Sequence, residues 1–235
     1  MDNKTRLNKA LSMLGICSRR DADALILKEG VYVNGKLARE VGSKVSDEDV
    51  IFVNGKEYVF SSLRQTRIWL YYKPVGLITS HKDPKNRRTV FEDVSNKIGE
   101  RVISVGRLDI NSEGLLLLTN DGEFARFAES PQTAWERRYK VRLFGMPNKE
   151  VLSQLGKGVT INGVRYAPIV VNFLKQTSGK NCWVECVLKE GKNREIRKIF
   201  NHFDILVNKL IRTQYGSYFL GNLKPGEIVE AKPRP

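Results

Sequence analysis

Three stretches of the sequence collect side chains able to do chemistry. The first is Val105-Gly106-Arg107-Leu108-Asp109-Ile110-Asn111-Ser112-Glu113-Gly114, set between the apolar runs 103–105 and 115–119. A polar loop between two strands is where a rigid scaffold presents reactive groups. Asp109 stands in its middle, and a carboxylate there can serve as nucleophile or as base. The plainer alternative is that Asp109 bonds its own backbone in a turn. The second stretch is Glu136–Phe144, in which Tyr139, Val141 and Leu143 alternate onto one face of a strand and Arg138, Lys140 and Arg142 onto the other. The tyrosine face belongs on the core side, and the cationic face meets solvent or phosphate. A plain core tyrosine satisfies the same pattern. The third stretch runs from Lys189 to Lys198. Ile196, Ile199, Phe200 and Phe203 form a helical apolar stripe, and Arg194 and Arg197, three residues apart, share another face. A pair of guanidiniums can clamp a carboxylate or a phosphate; the alternative is a helix with a basic, solvated side.

Other chemistries find no support. Cys17, Cys182 and Cys186 are odd in number and lack zinc-ligand spacing. Cys182 and Cys186 alternate with Val184 and Leu188, which suits small core residues. His81 and His202 are the only histidines and have no partner ligands nearby in sequence, so no metal site is expected. Gly191-Lys192-Asn193-Arg194 lacks the upstream glycine of a phosphate-binding loop.

These residues need elements to hold them. Leu7, Leu11 and Leu14 predict a first short helix stopped at Gly15. Ser18 with Asp21 predicts the capped start of a second, ended by Gly30 in a left-handed conformation. Asn34-Gly35 and Asn54-Gly55 predict tight hairpin turns. Residues 1–60 therefore form a small α/β module, and the polar run 61–67 fits a linker. From residue 68 to 235, strands are expected at 68–72, 102–105, 115–119, 136–144, 169–175, 182–188 and 205–211. Helices are expected near 121–128, 148–156 and 193–203. That mixture predicts an α+β domain on a large, mainly antiparallel sheet with flanking helices.

The 235 residues carry 40 Lys and Arg against 26 Asp and Glu, a net charge of +14. Residues 1–62 hold 10 basic and 9 acidic side chains, and the remainder holds 30 and 17. The excess thus lies in the larger domain and calls for a polyanionic partner, nucleic acid before an anionic membrane surface. No apolar run approaches the roughly 18 residues of a membrane span. The polar N-terminus is not a secretory signal, and the cysteine usage fits a reducing, cytoplasmic compartment.

Taken in order, these stretches resemble the RNA pseudouridine synthases of the group that modifies ribosomal RNA. Residues 6–35, RLNKALSMLGICSRRDADALILKEGVYVNG, look like the S4 RNA-binding module that precedes the catalytic domain in that group. YYKPVGL (71–77), GRLDINSEGLLLLTNDG (106–122), WERRYKVRLFG (135–145) and KEGKNREIRKIF (189–200) resemble its successive motifs. HKDPKNRRTVFEDV (81–94) looks most like the large-subunit branch. The resemblance implies Asp109 as catalytic carboxylate, Tyr139 stacked on the target base, and Arg197 paired with Asp109 to keep it ionised. It further implies Ile196 in the apolar wall and Arg107 beside the flipped nucleotide. Arg6, Arg19, Arg20, Lys73, Arg138, Lys140, Lys192 and Arg194 are the expected RNA contacts. The implied reaction detaches uracil at N1 and rejoins it through C5 without redox change, so no cofactor is expected. A monomer acting on large-subunit ribosomal RNA is the leading reading. A non-catalytic RNA-binding assembly protein and a DNA-binding regulator remain the alternatives; a carboxylate among cations at Asp109 and Arg197 discriminates, because a pure binder gains nothing from repelling phosphate.

Overall fold

A computed structural model describes residues 4–177 and 179–234. The chain folds into two compact units, one comprising residues up to Thr66 with Glu100–Val102 and Asn120–Gly122, the other the rest.

In the first unit, helices Leu7–Met13 and Arg19–Leu27 pack on a four-stranded antiparallel sheet around Leu7, Leu11, Ile26, Ile51 and Phe60. Ser18 caps the second helix as its sequence predicts: its Oγ accepts from the Asp21 amide and donates to the Asp21 carboxylate. Both Asn-Gly turns take positive φ at each residue, +49° and +75° at Asn34-Gly35 and +53° and +75° at Asn54-Gly55, the geometry that matches strand twist. Gly15 stops the first helix at φ +78°. Gly30 behaves differently from expectation. Glu29 takes the left-handed position, at φ +55°, while Gly30 passes close to the helix end, where a Cβ would lie 3.4 Å from the Leu25 carbonyl oxygen.

The second unit is the expected α+β domain on a nine-stranded sheet. Its main path runs Val170–Gln176, Asn181–Leu188, Arg137–Phe144, Leu206–Tyr215, Glu113–Thr119, Ile68–Lys73, Ile228–Ala231. Among the described residues, every pairing of its strands is antiparallel except one. Leu206–Tyr215 runs parallel to Glu113–Thr119, with Ile211 opposite Glu113 and Arg212 opposite Gly114. That joint links the two halves of the sheet beside the Asp109 loop. Helices Lys149–Lys157 and Glu195–His202 cover one half, over Val141, Leu143, Leu155, Val184, Ile199 and Phe200. Gly122–Glu129 packs over the other with Val105, Leu115, Leu117 and Tyr215.

Helix Val90–Ile98 was not anticipated. Its signal was present: Thr89 and Glu92 form a reciprocal capping box, and Gly99 ends the helix at φ +73°. The strand expected at 205–211 extends to Tyr215. Among the described residues no helix is long and apolar enough to cross a membrane.

Candidate active site

A cavity of about 640 Å³ opens in the second unit, lined by Arg107, Asp109, Tyr139, Arg194, Ile196 and Leu210, among others. Several elements bring them there. Asp109 comes from the loop between strands Ile103–Val105 and Glu113–Thr119. Tyr139 comes from strand Arg137–Phe144, and Arg194 and Ile196 from the start of helix Glu195–His202.

The Asp109 loop is held by its backbone. Five successive carbonyls each accept a hydrogen bond. Leu108 O takes one from Thr79 Oγ1 at 2.9 Å. Asp109 O takes two, from Lys73 Nζ at 3.1 Å and from the Ser112 amide at 3.0 Å. Ile110 O takes one from the Gly76 amide at 2.8 Å, Asn111 O from Arg197 Nη2 at 2.9 Å, and Ser112 O from Lys73 Nζ at 2.9 Å. The turn is thus built by main chain and neighbours, and the Asp109 carboxylate is left for other use. Its Oδ2 lies 3.6 Å from Arg194 Nη1.

Two expectations change here. Arg197 does not make the expected ion pair with Asp109. Its guanidinium donates instead to Val207 O at 2.8 Å and to Asn111 O. Burial, and then the charge of Arg194, lower its pKa, with Asp109 acting in the opposite direction. The cation on the carboxylate is Arg194, a residue the resemblance assigns to RNA contact. Arg194 sits at φ +51°, the left-handed region, which costs a non-glycine residue roughly 1–2 kcal/mol. Lys73 is the second correction. It is wholly buried, with its ammonium on the carbonyls of Pro74, Asp109 and Ser112, so it cannot reach RNA from there. Burial pulls its pKa down to about 8, with Arg212 adding to that effect and Asp109 and Glu113 opposing it.

The other expected residues fall as follows. Tyr139 is half-buried and packs against the apolar cluster while lining the cavity, so the core and cavity readings both describe it. Ile196 is buried in the same cluster and lines the same cavity. Arg107 is exposed at the cavity edge. Lys192 is exposed there too, bonded to Glu190. Arg138 pairs with Glu136 at 3.0 Å and with Glu185 at 3.5 Å, and Lys140 is exposed; neither lines the cavity. Arg6, Arg19 and Arg20 are exposed in the first unit.

Sequence reading missed four cavity groups. Arg137 and Arg212 are 5% and 2% exposed. They lie over the Tyr215 ring at 4.8 and 4.9 Å. Arg137 donates to the Tyr215 hydroxyl at 2.9 Å, and Arg212 Nε donates to Leu115 O at 2.7 Å. Glu195 is buried at the cavity wall beside Glu190. Their one legible signal was charge on the apolar side of an element: Arg137 shares the face of Tyr139 and Val141.

Comparison with known proteins bears on this arrangement. Residues 67–202 match the family model described as RNA pseudouridylate synthase, and residues 5–51 match the S4 domain. The chain is 50% identical over 225 residues to an RNA pseudouridine synthase of Rickettsia bellii, covering 96% of each. It is 36% identical over 233 residues to the ribosomal large subunit pseudouridine synthase B of Bacillus subtilis, covering 97% of this chain and 92% of that one. A crystal structure of a pseudouridylate synthase superposes with a TM-score of 0.68 at 23% identity, over 97% of this chain and 96% of the other.

Proposed function

The chain belongs to the RNA pseudouridine synthase family, and from that premise we propose that it isomerises one uridine of large-subunit (23S) ribosomal RNA, with Asp109 as the reacting carboxylate. The observation that carries this reading is the meeting of Asp109, Tyr139 and Arg194 at one cavity. Its ribosomal part follows the full-length likeness to the Bacillus subtilis enzyme.

The reaction breaks N1–C1′, turns the base and forms C5–C1′; the C5 proton leaves and N1 gains one. Asp109 begins it at the ribose, by bonding to C1′ or by taking a ribose proton, and both routes need its charge. Arg194 supplies the neighbouring positive charge. A uridine in folded RNA must first be unstacked, at a cost of a few kcal/mol. A base stacked on the Tyr139 ring regains about 1–3 kcal/mol, and Ile196 and Leu210 offer it apolar contact. Arg107 at the cavity edge meets the backbone of the flipped nucleotide. In the first unit, exposed Arg6, Arg19 and Arg20 supply the S4 module's contacts to RNA phosphates.

The test is a pseudouridine map of ribosomal RNA from cells with and without this protein, with re-expression of wild type or Asp109→Asn. One large-subunit site should vanish, return with wild type, and stay absent with Asp109→Asn. Purified Asp109→Asn should bind the RNA as tightly or more tightly, because one phosphate-repelling charge is gone. An unchanged map, or full turnover by the folded variant, overturns the proposal.

A further inference from the structure

A pair of carboxyl groups stands in the wall of the same cavity and has no part in the reaction as described. Glu195 is 4% exposed and Glu190 is half-buried; both line the cavity. Glu195 Oε2 accepts from the Lys192 amide at 2.8 Å. Glu190 Oε1 accepts from the Ala167 amide at 2.8 Å, and its Oε2 meets Lys192 Nζ. The remaining Glu195 oxygen, Oε1, is buried without a donor among the described residues. Lys192 joins the two side chains, its amide on Glu195 Oε2 and its Nζ on Glu190 Oε2. Two carboxylates cannot satisfy each other without a proton, since each offers only acceptors. One proton between them gives the buried Glu195 Oε1 a partner and relieves the repulsion of two neighbouring like charges.

What the pair holds is the loop 189–194. Its Glu190 end is tied to Ala167 in the segment after strand Val164–Arg165, and its Lys192 amide is tied to helix Glu195–His202. Across the loop, a Cβ on Gly191 would lie 3.6 Å from Arg137 Nε, and Arg137 donates to Lys189 O at 3.1 Å. Arg194 leaves this loop in its left-handed conformation and reaches Asp109.

We propose that Glu190 and Glu195 share a single proton and, through it, act as positioning residues that keep loop 189–194 in the shape that sets Arg194 against Asp109. The proposal rests on Asp109 being the reacting carboxylate. The charged and aromatic groups around the loop are Lys192 and Arg194 within it, Arg137 beside Gly191, and Tyr166, whose ring lies 5.8 Å from Lys192 Nζ. None of them supplies Glu195 Oε1 with a hydrogen bond.

Burial first, and then neighbouring Glu190, push the Glu195 carboxyl up to about 8. Burial also works against the Glu190 charge, but the Ala167 amide, Lys192 and Glu195 together take its pKa below the ordinary value. The sign follows. An acid raised on folding contributes its stabilisation in full below the ordinary carboxyl range, and that contribution is lost as pH rises through about 8. Above that, two charges repel and the loop loosens.

Two measurements on the full chain test this. Infrared difference spectroscopy on the protein without RNA should show the stretch of a protonated carboxylic acid at pH 7. That band should be absent above pH 9 and absent in Glu195→Gln. Single-turnover rates from pH 7 to 9 read the second half. Wild type should lose up to about tenfold per pH unit above the shared-proton range, as one deprotonation does. Glu195→Gln, whose amide donates to Glu190 at every pH, should lose less, and at pH 7 it should exceed Glu195→Ala by about tenfold or more. Glu190→Gln supplies the same amide donor from the other side and serves if Glu195→Gln does not fold. No acid band in wild type at pH 7 removes the shared proton. Coincident alkaline limbs for wild type and the Gln variant remove the positioning role and assign the limb to another group such as Lys73. An inactive wild type with the band present overturns the uridine reading and leaves the pair standing.

Discussion

Gly114 lies so close to Arg212 that a Cβ on it would sit 2.3 Å from the Arg212 carbonyl oxygen and 2.8 Å from its amide nitrogen. The contact falls in the one parallel pairing of the large sheet. Both obstacles are backbone, so neither can swing away, and Gly114 also stands at φ +102°. Gly114→Ala should therefore cost more than about 1–3 kcal/mol, the range for overpacking alone, because backbone strain adds to it. Urea unfolding measures this; a loss below about 1 kcal/mol would show that the parallel joint can open without penalty.

Arg194 and Arg197 should separate by what each holds. The Arg194–Asp109 contact is 3.6 Å long and substantially solvated, so Arg194→Met should change stability by no more than about 1 kcal/mol. Its turnover should fall by about tenfold or more, since the charge beside the reacting carboxylate is gone. Arg197→Met leaves the carbonyls of Val207 and Asn111 without their donor. It should lose about 0.5–1.5 kcal/mol per lost hydrogen bond, and its rate loss should follow from the loosened loop. Parallel unfolding and single-turnover measurements decide; equal stability losses in the two variants would contradict the assignment.

Lys73 offers a pH signature as well as a stability effect. Its ammonium ties Pro74, Asp109 and Ser112 together. Lys73→Met should slow turnover while RNA affinity stays within about twofold, the opposite of what an RNA-contacting lysine would give. The folded protein gives up the Lys73 proton near pH 8, below the value of 10.5 for an ordinary lysine. Between those values the unfolded chain binds more protons, so this group makes stability rise with pH. The difference in unfolding free energy between wild type and Lys73→Met should therefore shift in favour of wild type from pH 8 to 10. A flat difference would mean that the lysine titrates normally.

Tyr139 sits at once against the core and at the cavity. Tyr139→Phe keeps the ring and nearly all the packing. If the hydroxyl helps move the C5 proton, turnover should fall by about 10²–10⁴ with fold and RNA binding intact, and equally so across the working pH range. A Phe variant as fast as wild type returns Tyr139 to a purely packing and stacking role.

Much of this protein was determined by the sequence alone, wherever one short stretch carries its own instructions. Ser18 with Asp21 caps a helix, Asn-Gly forces a turn that only positive φ can close, and Ile196, Ile199 and Phe200 declare a buried helix face by spacing. Thr89 and Glu92 gave the same kind of local signal for the helix that went unread. The polar loop around Asp109 was legible because strong apolar runs bracket it. Tertiary structure alone decided which cation serves Asp109. Arg194 and Arg197 look alike in sequence, but the left-handed turn at Arg194 sends one to the carboxylate, while the other is spent on two carbonyls. It also decided that Lys73 holds a loop, that Gly114 makes room for Arg212, and that Glu190 and Glu195 meet at one cavity wall. Such relations join residues far apart in the chain or across a folded loop. They depend on distance and burial, which no periodicity or spacing encodes.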